Sequence, residues 1–409
     1  MAAGVRAGDV PAAGLAADAL AGIAALDPAL HFVNTLAAEA ALRAAAAIDR
    51  LPAAERARLP LAGVPFLAKA ETTTASPLVR RLAEAGAVLL GTSTRPDPAA
   101  VSQAWGWNGQ QETGNPWDAG RSSGGSSAGA AAAVAAGVIP LATGGDSDGS
   151  LRLPAAFCGV TTLKGTYGRL PRGAGRSLAQ LTVAGVIAAD LDDVVLATSA
   201  ASGPHPFDPA SLPPWPVPPA PAGAGPGRRL TVGFSPDLGG ALPDPAVAGL
   251  VAGRLEELAA AGAITLRAAE VLLTDPGTAW LPLAALERGQ PVEPAAVLRA
   301  HEVRRRNDRA LAAVFAEVDV LVTPTTPKTA FPLGEYAANL SAGDLCWGFN
   351  LSGHPAVTVP AGLLDGLPAG LQAVAPLHRD DQAVELARLA AVRLPPPPLY
   401  WDAAPGQGR

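Results

Sequence analysis

The stretch from Gly124 to Thr166 constrains the chain most, because it is rich in glycine, serine and alanine and poor in charge. Its alanines from Ala128 to Ala136 predict a helix, and Val138 to Ala142 predicts a short buried strand. Two serine pairs flank these elements: Ser126, Ser127, Ser147 and Ser150. The first pair therefore lies at a helix start, and the second follows a strand.

The placement of these serines favours acyl-transfer chemistry. A helix N-terminus and a glycine-rich turn both present free backbone N–H groups. Hydroxyls beside such groups supply a nucleophile and an oxyanion hole. One Gly-x-Ser-x-Gly match, Gly145 to Gly149, is interpreted as chance, because Pro154 follows within a few residues where a nucleophile elbow runs straight into a helix.

Histidine is a poor candidate for the catalytic base. The five histidines are scattered, and none lies in an HExxH pattern or beside a nucleophile motif: His31, His205, His301, His354 and His378. This argues against a zinc hydrolase and weakens a Ser-His-Asp triad. A lysine base fits better, because burial disfavours an ammonium group and lowers its pKa. A phosphate-binding loop is disfavoured, since the Gly-x-x-x-x-Gly-Lys-Ser/Thr spacing is missing.

The chain upstream offers such a lysine. Leu61 to Lys69 is predicted to be an apolar strand that ends at Lys69, which without further context would more simply be a surface lysine. A helix from Leu78 to Ala85 and a strand from Ala87 to Leu90 follow. Strand–helix–strand order predicts an α/β fold with a mostly parallel sheet.

The pattern GGSSAG…GGDSDGSLRLPAAFCGVTTLKGTYGR resembles the amidase signature family, serine hydrolases that use a Ser–cis-Ser–Lys triad. LAGVPFLAKA upstream and VDVLVTPTTP and LSGHPAVTVPAGLLDGLPAGLQAVAP downstream resemble its other motifs, so most of the chain is covered. The resemblance implies a central mixed, mostly parallel twisted sheet with helices on both faces. GRLPRGAGRSLAQL and the turn from Asp146 to Ser150 look closest to the carboxybiuret hydrolase-like branch.

The resemblance implies a role for each matching residue. Ser150 matches the nucleophile, Ser126 the bridging serine after a cis peptide, and Lys69 the base. The backbone amides of Ser147, Asp148, Gly149 and Ser150 would hold the oxyanion. The supporting residues would be Asp146, Arg152 and Ser127. No metal or cofactor is implied.

Two departures from the family pattern bear on activity. Most relatives have glycine where this chain has Asp148, whose carboxylate would repel an oxyanion if it pointed into the hole and could bind a polar or cationic group if it pointed outwards. Only Ala70 to Ala75 separates Lys69 from the next helix, where relatives have a longer loop.

Composition bounds the remaining possibilities. The chain has 409 residues, 49% hydrophobic and 16% charged, with a net charge of −6. These values predict a globular protein without a basic face for nucleic acid or membranes. No signal peptide or membrane-spanning stretch is predicted, and two cysteines indicate a cytoplasmic protein with reduced thiols. Two alanine-rich helices, Gly14 to Leu26 and Asn34 to Ile48, are predicted near the start.

We expect a single domain made of five consecutive segments: a helical region 1–60, a catalytic core 61–200, a Pro/Ala/Gly-rich loop 203–228, a C-terminal part of the same sheet 229–394 and a loose tail 395–409. The predicted function is hydrolysis of a small amide through a seryl acyl-enzyme. The alternatives are acyl transfer on the same fold, or a catalytically impaired protein with a binding or assembly role. A homodimer or a small partner subunit is possible.

Overall fold

The computed structural model describes residues 1–70, 76–97, 100, 103–173, 177–218 and 229–401. The α-helices in these ranges are α1 Ala2–Ala7, α2 Ala12–Leu30, α3 Ala38–Asp49, α4 Ala53–Arg56, α5 Pro77–Glu84, α6 Ala128–Ala135, α7 Arg152–Cys158, α8 Leu191–Ala201, α9 Pro245–Ala260, α10 Gly277–Glu287, α11 Pro294–Glu317, α12 Trp347–Leu351 and α13 Asp380–Ala390; a 3₁₀-helix spans Ala337–Gly343. The strands are β1 Val33–Leu36, β2 Pro65–Lys69, β3 Val88–Ser93, β4 Gly114–Asn115, β5 Asp118–Ser122, β6 Leu141–Asp146, β7 Thr161–Lys164, β8 Val183–Ala188, β9 Leu230–Phe234, β10 Ile264–Ala268, β11 Val320–Pro324, β12 Ala356–Leu364 and β13 Leu367–Val374.

Eleven of these strands form one mixed sheet in the order β1-β3-β2-β6-β8-β7-β12-β13-β11-β9-β10, and β4 pairs with β5 separately. The neighbouring pairs β2–β3, β2–β6, β9–β11 and β9–β10 are parallel. The other six junctions described are antiparallel. The prediction of a mixed sheet is confirmed, but the prediction that it is mostly parallel is wrong.

The antiparallel majority has a topological cause. The unit β6–α7–β7 does run its two strands in the same direction, as a helical crossover requires. However, β8 inserts between them and pairs antiparallel with both. The pair β12–β13 then inserts between β7 and β11. The predicted local order of strand, helix and strand is therefore correct. Strands that come later in the sequence insert between the earlier strands and become their neighbours in the sheet.

Helices cover both faces of the sheet, as predicted. Successive residues of a strand point to opposite faces. Along β2, Phe66 and Ala68 lie in one hydrophobic cluster, together with residues of α5, α8, α9 and α13. Leu67 between them lies in a second cluster, which contains residues of α2, α3, α6 and α7. Each cluster is a core between the sheet and one helical layer.

The first fifth of the chain departs from two expectations. Residues 34–36 lie in the edge strand β1, so the second predicted helix begins only at Ala38. Helix α2 is long and apolar enough to cross a membrane by length and composition, although no such stretch was expected. Core helices pass the same test, and Leu15, Ala19 and Ile23 of α2 are buried against the core.

The other predicted segments have mixed outcomes. The strand predicted from Val138 begins at Leu141. The predicted loose tail is wrong for its first part, because the Trp401 amide donates to the Ala136 carbonyl at 2.7 Å and its indole packs on the second cluster. Residues 219–228 of the Pro/Ala/Gly-rich loop, 71–75 of the shortened loop and 402–409 of the tail lie outside the described residues. The single-domain division stays a prediction.

Candidate active site

Lys69 and Asp146 are brought together by the sheet. They are the last residues of the parallel neighbours β2 and β6, whose carboxyl ends meet at one edge. The Lys69 side chain is buried, at 1% exposure, and its Nζ donates to Ser126 Oγ at 2.6 Å. Its backbone amide donates to Thr143 Oγ1 of β6 at 3.3 Å. The strand therefore places one amine inside the protein instead of at the surface.

Ser126 lies in the loop that enters α6, and the Gly125–Ser126 peptide bond is cis, as the resemblance implied. Gly125 has no room for a side chain, because a Cβ there would lie 2.0 Å from the Gln103 carbonyl oxygen and 2.6 Å from the Trp105 nitrogen. The segment that contains Trp105 thus backs directly onto the cis peptide. This close approach explains why glycine precedes the serine.

Ser150 lies beside this loop. The Ser127 amide donates to the Ser150 carbonyl at 3.1 Å, which ties the two serine segments together. Ser150 is 5% exposed, and its hydroxyl donates to Asp148 Oδ1 at 2.7 Å. The structure therefore brings the three proposed triad residues into one region. The hydroxyl of Ser150 donates to Asp148 and not to Ser126, whereas the resemblance implies that Ser126 bridges Ser150 and Lys69.

A fully buried ion pair supports the turn. Arg152 Nε and Nη2 donate to the two carboxylate oxygens of Asp146, each at 2.9 Å, with both side chains at 0% exposure. Burial alone would raise the pKa of Asp146, but the guanidinium of Arg152 holds that pKa below its ordinary value. Asp146 also accepts from the amides of Gly149 and Leu151. The predicted contact between Arg152 and the turn is present.

Two residues that sequence reasoning missed complete this cluster. Asn350 donates to Asp146 Oδ1 at 2.9 Å, and Gln372 accepts from Arg152 Nη1 at 2.7 Å. Both side chains are buried. A sequence signal exists for Gln372, because it is a polar residue inside the otherwise apolar strand β13. Asn350, whose partner lies 204 residues away, carries no such signal.

The turn that would hold an oxyanion differs from expectation at one position. The Gly149 amide donates to Asp146 Oδ1 at 2.8 Å, so it is committed to the turn and is a poor oxyanion donor. Gly149 has φ +117°, and a Cβ there would lie 2.8 Å from Cys346 Cβ, so glycine is required. The amides of Ser147, Asp148 and Ser150 remain the candidate donors.

Aromatic side chains border this turn. Trp280 Nε1 donates to the Ser147 carbonyl at 2.6 Å, and its ring lies 5.1 Å from that of Trp347. Upstream, Trp105, Trp107 and Trp117 lie in one stretch whose sequence is compatible with either a packed surface loop or a wall of the substrate cleft. Trp105 stacks on Tyr336 at 5.1 Å, and Trp117 donates to the Cys158 carbonyl at 2.9 Å. Of these indoles, Trp280 therefore has the direct contact with the turn.

The two cysteine thiols, Cys158 and Cys346, are buried and are not activated. Burial raises the pKa of Cys346 to about 12 and that of Cys158 still further. Cys158 is the buried core thiol that was predicted. Within the described ranges, the His, Cys, Asp and Glu side chains form no group of three or more that could hold a metal ion.

Comparison with known proteins identifies the family. A family model described as Amidase matches residues 71–290 and 272–384, which is more than half of the chain. The chain belongs to the amidase signature family. This amidase signature protein is 33% identical over 425 aligned residues to the A subunit of the glutamyl-tRNA(Gln) amidotransferase of Moorella thermoacetica, and the match covers 86% of this chain and 87% of that one.

Solved structures agree with this placement. A chain of a vestigial complex described for the evolutionary origins of an s-triazine catabolic enzyme is 28% identical, with a TM-score of 0.80, and 96% of this chain and 98% of that chain are covered. A peptide amidase solved with the inhibitor chymostatin is 28% identical, with a TM-score of 0.76 and 97% of each chain covered. The fold of this amidase signature protein is thereby shown; its assignment to the carboxybiuret hydrolase-like branch stays a prediction.

Proposed function

We propose that this protein hydrolyses a small amide C–N bond through a seryl acyl-enzyme and releases ammonia or an amine. The observation that carries the proposal is the 2.6 Å hydrogen bond between the buried Lys69 amine and Ser126, which follows a cis peptide, with Ser150 tied to the same loop. A buried amine paired with a hydroxyl beside a second hydroxyl is an activated-nucleophile arrangement. The family to which the chain belongs supports the same reaction class.

The proposed reaction balances through two proton transfers. Ser150 Oγ bonds to the amide carbon as its proton passes to Ser126, whose own proton passes to Lys69. The amides of Ser147, Asp148 and Ser150 stabilise the resulting oxyanion. The C–N bond then breaks, and the nitrogen leaves with the proton returned through the same chain. Water, activated in the same way, cleaves the ester and restores Ser150.

A second candidate is nitrogen transfer within an assembly. Its specific support is the name of the relative, a subunit of an amidotransferase that matches over 86% of this chain. On this proposal, the ammonia released at Ser150 would pass to an acceptor held by a partner subunit. Rapid release of free ammonia by the purified chain alone favours the hydrolase; release only after a partner is added favours the amidotransferase.

The experiment that tests the hydrolase is an ammonia-release assay of the purified chain against a library of primary amides, run beside the Ser150→Ala variant. Turnover of at least one amide by the wild type and not by the variant supports the proposal. Equal ammonia release by both proteins would contradict it. A cytoplasmic location stays a prediction.

Replacement of Lys69 by methionine is expected to lower kcat about 10²- to 10⁴-fold, because the change removes the proton acceptor and keeps the buried volume nearly constant. The matched control is Lys328→Met, whose amine donates to Asn339 Oδ1 at 2.9 Å. Initial rates on the best amide of the library measure both variants. Similar rates for Lys69→Met and Lys328→Met would assign the base to another group.

A further inference from the structure

Asp148 occupies the most chemically consequential position in the turn. Its Oδ1 accepts from Ser150 Oγ at 2.7 Å and from Ser147 Oγ at 3.3 Å. The carboxylate thus points towards the proposed nucleophile, which answers a question that the sequence left open. In the free protein, the Ser150 hydroxyl is held by this carboxylate while Lys69 holds Ser126.

A carboxylate in this position destabilises the oxyanion unless the carboxylate charge is compensated. The oxyanion would form at the amides of the same turn, and like charges repel at short range. Burial raises the pKa of Asp148, although the hydrogen bond from Ser150 lowers it, so its negative charge is incompletely stabilised in the free protein.

The nearby basic side chains compensate this charge only in part. Arg152 is committed to both oxygens of Asp146. Lys69 acts on Asp148 by Coulomb attraction, yet its amine donates to Ser126 and is needed there. A cation that arrives with the substrate would neutralise the carboxylate and take over its hydrogen bond.

We propose that Asp148 is a specificity-determining residue that binds an ammonium group on the carbon next to the scissile carbonyl, so that the preferred substrates are amides of α-amino acids. This inference rests on the proposed hydrolase function. Oδ1 lies one hydrogen bond from Ser150 Oγ, and Oγ becomes bonded to the carbonyl carbon. An α-nitrogen therefore enters the region that Oδ1 can reach.

Substrate binding at Asp148 also releases the nucleophile. Once the ammonium donates to Oδ1, the Ser150 hydroxyl is free to donate to Ser126, which connects it to Lys69. Trp280, whose indole N–H donates to the Ser147 carbonyl, and its ring partner Trp347 border the same turn.

The test compares alaninamide with its neutral isostere isobutyramide. The wild type is expected to favour alaninamide at least about tenfold in kcat/KM. Asp148→Asn is expected to abolish this preference, because kcat/KM falls for alaninamide and rises for isobutyramide once the repelling carboxylate is gone. The control Asp344→Asn removes a half-buried carboxyl outside the turn and is expected to keep the preference. Turnover of both amides by the wild type without preference, or a preference that survives in Asp148→Asn, would overturn the inference and leave the hydrolase intact.

A second readout does not need turnover. Ethylammonium is expected to accelerate labelling of Ser150 by a serine-reactive phosphonate at least threefold in the wild type and not in Asp148→Asn. Equal labelling rates with and without ethylammonium in the wild type would overturn the inference. Complete absence of labelling in the wild type and in every variant would instead contradict the proposed hydrolase function, and with it this inference.

Discussion

Replacement of Ser150 by alanine is expected to lower kcat by about 10⁴-fold or more, because the nucleophile and the first proton donor are lost together. Ser150 is 5% exposed and its backbone carbonyl, which accepts from the Ser127 amide, is unchanged in the variant. The fold should therefore persist. The measurement is ammonia release from the best amide at saturating concentration.

The matched control for this prediction is Ser199→Ala. Ser199 lies on α8, and its hydroxyl donates to the Trp215 carbonyl at 2.8 Å. The change therefore removes one partly buried hydrogen bond of comparable length outside the proposed site. Its kcat is expected to stay within about threefold of the wild type. A Ser150→Ala variant that retains more than a tenth of wild-type kcat, with the thermal midpoint unchanged, would exclude Ser150 as the nucleophile.

The second large effect concerns stability. Replacement of Arg152 by alanine is expected to lower the free energy of unfolding by about 3–5 kcal/mol, because it leaves the Asp146 carboxylate buried without its cation. The control Arg43→Ala removes an exposed ion pair with Glu39, with side chains 72% and 90% exposed, and should cost no more than about 1 kcal/mol. Urea unfolding of both variants gives the comparison. Equal losses of unfolding free energy in the two variants would contradict the expected cost of leaving Asp146 buried without its cation.

The same ion pair predicts how stability changes with pH. Arg152 lowers the pKa of Asp146 in the folded protein, against the raising effect of burial. A lowered folded pKa contributes stability above the unfolded value of about 3.9, and this is lost as pH falls towards the folded value. Wild-type unfolding free energy should therefore drop below about pH 4. In Arg152→Ala, the contribution of Asp146 to this loss of unfolding free energy at low pH should weaken or reverse. Urea titrations of both proteins at several pH values would detect the difference.

Much of the site was predictable because its residues belong to a few contiguous motifs. Local pattern places Lys69 at a strand end, Ser126 before an alanine-rich helix and Ser150 in a glycine-rich turn, whereas their catalytic roles were implied by the resemblance to the family. Their meeting follows from one fact of topology, namely that β2 and β6 are parallel neighbours. The helices on both faces follow from apolar strands that are buried on two sides.

What could not be predicted depends on long-range packing. Asn350 and Gln372 reach the turn from strands and helices near the C-terminus, at separations of 204 and 220 residues from their partners. The insertion of β8 between β6 and β7 is likewise invisible to local pattern. The direction of the Asp148 side chain was open, because the same sequence permits an inward or an outward rotamer; the structure turns it towards Ser150.

The most direct test of the central claim is covalent labelling of the wild type and of Lys69→Met with a serine-reactive phosphonate, followed by intact mass and peptide mapping. If Lys69 draws a proton through Ser126 to free Ser150, the wild type gains one adduct on Ser150, and Lys69→Met is labelled at least about 100-fold more slowly. An adduct on another serine, or equal labelling rates in the two proteins, would contradict that claim.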